Sequence, residues 1–135
     1  MKMRNFLLVS VLCLCLRSHA SAEEITLDSV PPVVVKTMPQ AGANHVDPKT
    51  KEIRVVFSKK MTTDSWSWVQ MSKETFPEVT QKPKFLKDGK TCVLGVKLKP
   101  GTTYAIWFNS GKHNLFKDSD GQSAVPYLLV FETKK

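Results

Sequence analysis

The chain has 135 residues, of which 41% are hydrophobic, and a formal net charge of +8 at pH 7. This length fits one domain with a short leader, because two domains would leave each core too small. The basic residues are scattered, with adjacent pairs only at Lys59-Lys60 and Lys134-Lys135 and no basic helix or stripe, so the sequence predicts no nucleic-acid binding.

Residues 1–22 are interpreted as a signal peptide. They combine a basic start (Lys2 and Arg4), an apolar run over residues 6–16 and a small-residue ending at residues 20–22. A membrane-spanning helix needs about 20 apolar residues, and Arg17 interrupts this run well before that length, so we expect no membrane span. We expect cleavage after Ala22 and export to the periplasm, the cell envelope or the exterior.

Residues 23–31 are acidic and have no clear period, which favours a flexible lead-in to a domain over residues 32–135. Removal of the leader leaves Cys92 as the only cysteine, so no internal disulfide can form and the hydrophobic core must stabilise the domain. Cys92 alternates with Leu94, Val96 and Leu98, which predicts a buried, unreactive, structural thiol on the core face.

Seven short segments are rich in β-branched and aromatic residues and are bounded by Gly, Pro, Asn, Asp or Lys. No window has the pattern of a long amphipathic helix. Seven antiparallel strands is the number found in an immunoglobulin-like β-sandwich, so we predict an all-β fold of that type. The predicted strands are residues 33–38, 52–58, 67–72, 84–86, 91–98, 103–109 and 127–133.

Alternation within these segments predicts which side chains face the core, because successive side chains of a strand point to opposite faces. The predicted inward residues, beyond those on the strand of Cys92, are Ile53, Val55, Phe57, Tyr104, Ile106, Phe108, Leu129 and Phe131.

Two turns have recognisable chemistry. Asp88-Gly89 lies between two apolar runs and predicts a tight hairpin, because glycine tolerates the positive φ that such a turn requires. Pro100-Gly101 breaks the chain shortly before Tyr104, an arrangement typical of a tyrosine corner whose hydroxyl bonds to the backbone upstream. Gly89, Gly101 and Tyr104 are therefore assigned structural roles.

Taken together, five stretches resemble the bacterial Ig-like domain first described on S-layer proteins, and the match covers nearly all of residues 32–134. The stretches are residues 39–42, 53–61, 98–104, 118–121 and 131–133. The resemblance implies a sandwich that serves as a spacer, an adhesive module or an appendage, with no shared catalytic residues. The chain departs from the family pattern in a longer segment at residues 110–116 and in the aromatic Trp66 and Trp68.

Catalytic chemistry finds little support. A nucleophile needs an adjacent base, and after the leader the only histidines are His45 and His113, in loops expected at opposite ends of the sandwich. One cysteine and two separated histidines also argue against a zinc site. We therefore expect no enzyme activity, no cofactor and no metal site.

Asp118 and Asp120 precede Gly121 and could offer oxygen ligands to calcium. A complete calcium loop needs further carboxylates and a closing glutamate, which are missing here. A turn stabilised by aspartate side chains is the favoured interpretation, and calcium binding stays open as the alternative.

The tryptophans are the tentative binding residues. Trp66 and Trp68 alternate on the third predicted strand and Trp107 lies on the sixth, which is its neighbour in immunoglobulin-type folds. If Val69 and Met71 point inward, the three indoles form an outward platform that could stack on sugar rings or pack against a protein. The alternative is that one of them is the core tryptophan common on the third strand.

The resulting hypothesis is an exported, non-catalytic module for protein interaction, adhesion or spacing at the cell envelope. The alternative hypothesis is a carbohydrate-binding module that uses the same aromatic surface. The expected partner is therefore a protein of unknown identity or an envelope polysaccharide.

Overall fold

The computed structural model describes residues 20–135, so all but the last three residues of the predicted signal peptide lie outside the described residues. The described chain forms seven strands and no helix, which confirms the all-β prediction. The strands are β1 (Val34–Met38), β2 (Glu52–Phe57), β3 (Trp68–Gln70), β4 (Glu78–Phe85), β5 (Thr91–Lys97), β6 (Thr103–Phe108) and β7 (Tyr127–Glu132).

The strands form two antiparallel sheets. One sheet has the order β1-β2-β5-β4 and the other has the order β3-β6-β7. In immunoglobulin constant-type nomenclature this is A-B-E-D against C-F-G, so the predicted immunoglobulin-like sandwich is confirmed.

The core lies between the sheets, and the predicted inward faces are correct. Ile53, Val55 and Phe57 of β2 are at most 1% exposed, and the β5 side chains Cys92, Leu94 and Val96 are also buried. β6 contributes Tyr104, Ile106 and Phe108, and β7 contributes Leu129 and Phe131. Each fully buried large side chain contributes about 1.5–3 kcal/mol, which explains how the domain dispenses with a disulfide.

The fourth strand differs from its prediction, which gave it only residues 84–86. β4 begins at Glu78 and is mostly exposed, because it is an edge strand whose pairing with β5 is interrupted by irregular register at two places. An edge strand need not alternate apolar and polar residues, so periodicity could not reveal it. β4 also crosses β5 closely: a Cβ at Gly95 would lie 2.8 Å from the Cβ of Gln81.

The long loop between β6 and β7 enters the core through Phe116, which is fully buried. Asn109, also fully buried, adopts a positive φ of 59°, a conformation that asparagine tolerates better than most residues. Its Nδ2 donates to the carbonyls of Phe116 and Ala124 at 3.0 Å each, and its Oδ1 accepts from Phe116 N at 3.0 Å. The Phe116 ring contacts the rings of Phe57, Trp68, Phe85 and Phe108. Residues of both sheets are thereby joined through one loop side chain.

The structural turn residues lie as follows. Gly89 has a φ of 67° in the β4–β5 hairpin, where Asp88 accepts hydrogen bonds from the Thr91 hydroxyl and from the Lys90 and Thr91 amides. These bonds lower the pKa of Asp88, and the bond from the Thr91 side chain has the largest effect. Gly101 has a φ of 58°. The hydroxyl of Tyr104 accepts a hydrogen bond from Lys99 N at 2.8 Å, the geometry of a tyrosine corner.

Replacing Tyr104 by phenylalanine removes the acceptor for the Lys99 amide while keeping the buried ring. We expect the free energy of unfolding to fall by about 1–3 kcal/mol, as measured by urea denaturation. The control is Tyr127→Phe, at a ring that stacks on Phe108 and takes part in no turn, where a change within about 0.5 kcal/mol is expected. Equal losses in the two variants would contradict the tyrosine-corner assignment.

Candidate functional site

The register of β3 against β6 decides where the tryptophans face. Trp68 lies opposite Phe108, and Val69 lies opposite Trp107. Directly opposite residues share one face of a sheet, so Trp68 faces the core while Trp107 faces outward. The ring centroids of Trp68 and Phe108 are 4.8 Å apart in an edge-to-face contact.

Trp66, Trp68 and Trp107 therefore do not form a platform on one outward face, and that prediction is wrong. It required Val69 and Met71 to point inward, whereas Val69 shares the outer face with Trp107 and Met71 is 53% exposed. Trp68 instead matches the alternative, the core tryptophan of the third strand. A binding role for any of the three indoles stays a prediction.

Trp68 lies beside the thiol of Cys92. Burial raises the pKa of Cys92 to about 12, even though the Trp68 indole and the Val93 amide act in the opposite direction. The indole N–H is buried and makes no hydrogen bond of regular geometry within the described residues, so its contact with the thiol is a weak one. The thiol therefore stays neutral at physiological pH, and the geometry gives it a packing role.

An apolar groove of about 540 Å³ is lined by residues of β3 and β4, the edge strands of the two sheets. We call it the edge groove. Its polar members are Ser67, Gln70 and His113, and its apolar lining is formed by Trp66, Trp68, Val69, Phe76, Val79, Pro83, Leu94 and Leu115. Val79 and Leu115 are 46% and 49% exposed, so the groove presents an apolar rim to solvent.

Two hydrogen bonds fix the rim. Ser65 Oγ donates to the carbonyl of Leu115 at 2.8 Å, and Leu115 N donates to Ser67 Oγ at 2.9 Å. These bonds join the loop before β3 to the loop before β7. Trp66, between the two serines, and Leu115 are thereby held at neighbouring positions on the groove.

The main chain of β3 is open on the groove side. Asn109 N donates to the carbonyl of Ser67 at 3.1 Å, so Ser67 and Asn109 form a hydrogen-bonded pair. Hydrogen-bonded and non-hydrogen-bonded pairs alternate along two antiparallel strands, so the next hydrogen-bonded pair is Val69 with Trp107. The N–H and C=O groups of Trp68 and Gln70 consequently point away from β6. Within the described chain, β6 is the only strand that pairs with β3.

Trp107 belongs to a different surface, the outer face of the three-stranded sheet. It lies in a cross-strand row with Val69 and Leu128, beside a second row formed by Ala105 and Val130. The strands of this sheet carry one charged residue, Glu132. Val69 also lines the edge groove, so the two surfaces meet at β3, but Trp107 is not part of the groove lining.

The family model described as bacterial Ig-like domain matches residues 28–133. The chain belongs to the bacterial Ig-like domain family. This confirms the resemblance seen in the sequence.

Two solved structures of the S-layer protein SbsC are similar to this bacterial Ig-like chain. The crystal structure of rSbsC(31-844) shares 18% identity, with 78% of this chain and 14% of that chain covered and a TM-score of 0.49. The structure of SbsC domains 1-6 shares 20% identity, with 80% and 14% covered and a TM-score of 0.50. This chain thus matches about a seventh of either S-layer chain, and at such identity the likeness concerns the fold alone. No curated protein matches the chain.

The carboxylate of Asp118 binds other groups of the bacterial Ig-like domain. Its Oδ1 accepts from the amides of Asp120 and Gln122 at 3.0 and 2.8 Å, and its Oδ2 lies 2.8 Å from Lys59 Nζ. Burial opposes the ionisation of Asp118, but Lys59 and the amides outweigh it, so its pKa is lowered. Both carboxylate oxygens of Asp118 thus already have partners within the protein.

Within residues 20–135, no cluster of three or more His, Cys, Asp or Glu side chains could hold a metal ion. His113 lines the edge groove, whereas His45 lines a different depression beside Gly101 and Lys134. No helix in the same part of the chain is long and apolar enough to cross a membrane.

Replacing Trp68 by alanine is expected to lower the free energy of unfolding by about 3 kcal/mol or more, because it opens a cavity against Phe108 and Phe116. Replacing Trp107 should cost about 1 kcal/mol, since its outer-face ring leaves no hole in the core. Chemical denaturation of both variants provides the measurement. A larger loss of unfolding free energy at Trp107 than at Trp68 would show that Trp107, and not Trp68, faces the core.

The Lys59–Asp118 pair should make stability depend on acidity. The folded-state pKa of Asp118 is lowered, so its contribution is complete above the unfolded value near 3.8 and disappears as pH falls through the folded pKa. At pH 7, Asp118→Asn leaves Lys59 unpaired and should cost about 3–5 kcal/mol. In urea titrations this difference from wild type should shrink below about pH 4, whereas the exposed control Asp120→Asn should show no such trend. A difference that stays constant from neutral to acid pH would refute the role of the pair.

Proposed function

We propose that this bacterial Ig-like domain is a non-catalytic protein-interaction module of the cell envelope that accepts an extended segment of a partner at the edge groove. The observation that carries the proposal is the coincidence of a free strand edge at Trp68 and Gln70 with an apolar groove. Strand addition of this kind gains affinity from main-chain hydrogen bonds and specificity from a side-chain pocket.

The four outer strands differ in how well they could accept a partner strand. β1 carries a bulge and Lys36, and β4 carries Pro83, Lys82 and Lys84, all features that discourage edge pairing. The edge of β7 is already covered by residues 42–46, through bonds such as Gly42 N to Val130 O at 2.7 Å. β3 is uncharged and has no bulge or proline; because it has three residues, its receptive edge consists of the free main-chain groups of Trp68 and Gln70.

The location and the absence of catalysis are part of the same proposal. The composition of residues 1–22 supports export, and membership of the bacterial Ig-like family supports an envelope role. The edge groove is lined mainly by apolar side chains, and His113 is its only histidine. Such a lining suits binding of an apolar side chain better than acid–base chemistry.

Selection from a library of displayed ten-residue peptides tests the binding mode. The peptides recovered should carry a large apolar residue, and Leu115→Glu should weaken their binding about tenfold or more, because it places a charge on the rim. Val125→Glu is the matched control: Val125 lies in the same loop, is also 49% exposed and is not part of the groove.

Equal binding to the Leu115 and Val125 variants would exclude the groove as the peptide site. A glycan array supplies the second arm. Glycan binding that is lost in Trp66→Ala, together with no selected peptide, would overturn the proposal in favour of the carbohydrate-binding alternative.

A further inference from the structure

A depression of about 380 Å³ lies on the outer face of the four-stranded sheet. Its lining includes Gly95 of β5, together with Glu52 of β2 and Gln81 of β4, which lie opposite Gly95 in the register. Leu94, the residue before Gly95, is buried in the core, so Gly95 and its two cross-strand partners face outward. The depression therefore extends across three strands on the side of the sheet away from the core.

Four exposed lysines line this depression, which we call the lysine depression. They are Lys51, Lys82, Lys84 and Lys97. Lys51 precedes β2, Lys82 and Lys84 belong to β4, and Lys97 ends β5. Strand pairing thus brings together lysines that are scattered in the sequence, and a search for a continuous basic stretch could not reveal them.

Irregular pairing of β4 places polar side chains over the middle of the depression. The register of β4 against β5 shifts between Val79 and Gln81 and again between Gln81 and Lys84. A Cβ at Gly95 would lie 2.8 Å from the Cβ of Gln81 and 3.0 Å from Oγ1 of Thr80, so both side chains lie over Gly95. Irregularities of this kind redirect side chains, and a larger residue at position 95 would collide with the two that are redirected here.

The positive charge of the lysine depression is not compensated by neighbouring carboxylates. Within residues 20–135, none of its four lysines forms a salt bridge. Among the described residues of the lining, Glu52 is the only one with a carboxylate, and that carboxylate accepts a hydrogen bond from Arg54 Nε at 2.6 Å. Glu78 lies opposite Lys97 in the register but is not part of the lining. A concave surface with charge of one sign concentrates ligands of the opposite sign.

We propose that the lysine depression binds an anionic polysaccharide, one that carries carboxylate or phosphate groups along its chain. Lys84 lies opposite Val93, which is four residues before Lys97 and therefore about 14 Å from it along β5. Lys51 and Lys82 lie on either side of β5, roughly 10 Å apart across two strand spacings. Charges spread this widely match several anionic groups along a polymer better than one small anion.

The rest of the lining favours a sugar polymer over a protein or a nucleic acid. The cores of protein interfaces are depleted of lysine and enriched in aromatic residues, and single-stranded nucleic acids stack their bases on aromatic side chains. Among the described residues that line the depression, none is aromatic. Thr80 and Gln81 instead offer a hydroxyl and an amide, which can exchange hydrogen bonds with sugar hydroxyls.

The lysine depression is a different surface from the edge groove. Val79 of β4 and Leu94 of β5 line the groove, whereas Gln81 and Gly95 of the same strands line the depression, and the two linings share no residue. The inference therefore goes beyond the proposed function and does not depend on it. A polysaccharide held at the depression would leave the edge groove open to a protein segment.

Affinity measurements on the protein from Glu23 to Lys135, which contains all seven strands, test the inference. The probes are polygalacturonate, whose charged groups are carboxylates, and dextran phosphate, whose charged groups are phosphates. At least one of them should bind at low salt, and binding should weaken as salt rises, because salt screens the lysines. Unmodified dextran, the neutral control, should not bind. The probe that binds more tightly identifies the preferred anionic group.

Matched lysine variants locate the site. Lys84→Gln/Lys97→Gln should weaken polysaccharide binding about fivefold or more, because it removes two of the four charges. Lys73→Gln/Lys112→Gln is the control: it changes the net charge equally at two exposed lysines outside the depression. This control should bind within about twofold of wild type. Trp66→Ala, a change in the edge groove, should bind the polysaccharide like wild type.

Equal weakening in the two double-lysine variants would reduce the effect to net charge and overturn the site. Tighter binding of poly-glutamate or of a single-stranded DNA oligonucleotide than of either anionic polysaccharide would overturn the class of ligand. If neither polysaccharide binds while selected peptides still bind in a Leu115-dependent way, this inference fails and the proposed function stands. Polysaccharide binding that survives Lys84→Gln/Lys97→Gln but is lost in Trp66→Ala, with no selected peptide, would overturn both.

Discussion

The hydrogen bonds from the side chain of Asn109 to the β6–β7 loop are the constraint on which the rest of the structure depends. They satisfy buried main-chain groups at Phe116 and Ala124 that no strand pairs with. They also hold Phe116 between the sheets, where its ring contacts aromatic residues of both. A long irregular loop thereby becomes part of the core, and the sandwich needs no disulfide across it.

The same constraint positions the edge groove. With Phe116 fixed inward, the preceding Leu115 is directed to the surface, where Ser65 and Ser67 bind its main chain. Trp68 faces the same inner cluster from β3. The groove lies where this aromatic packing meets the uncovered edge of the smaller sheet, so its apolar lining and the free main-chain groups of β3 have one structural origin.

Much of the fold follows from local patterns in the sequence, and the exceptions have physical causes. Alternation identified the inward face of β2, whose six residues alternate between half-buried and buried side chains. In β5 the first six residues are all buried, and its inward set is confirmed by register, because Cys92 lies opposite Val55 and Leu94 opposite Ile53. β3 has three residues, and both of its faces offer apolar side chains, so alternation could not choose between Trp68 and Val69. Phe116 lies outside any strand, where periodicity carries no information. A groove formed by two edge strands and two loops depends on register, which the sequence pattern left undetermined.

Amide hydrogen exchange of β3 would show whether its free edge is the interaction surface. In dilute, isolated protein the amide of Val69 should be protected by β6, while those of Trp68 and Gln70 should exchange freely. When a strand binds, the two free amides should slow and Val69 should change little. Equal protection of all three amides in the isolated protein, or no change at Trp68 and Gln70 on binding, would show that this edge of β3 is not the interaction surface.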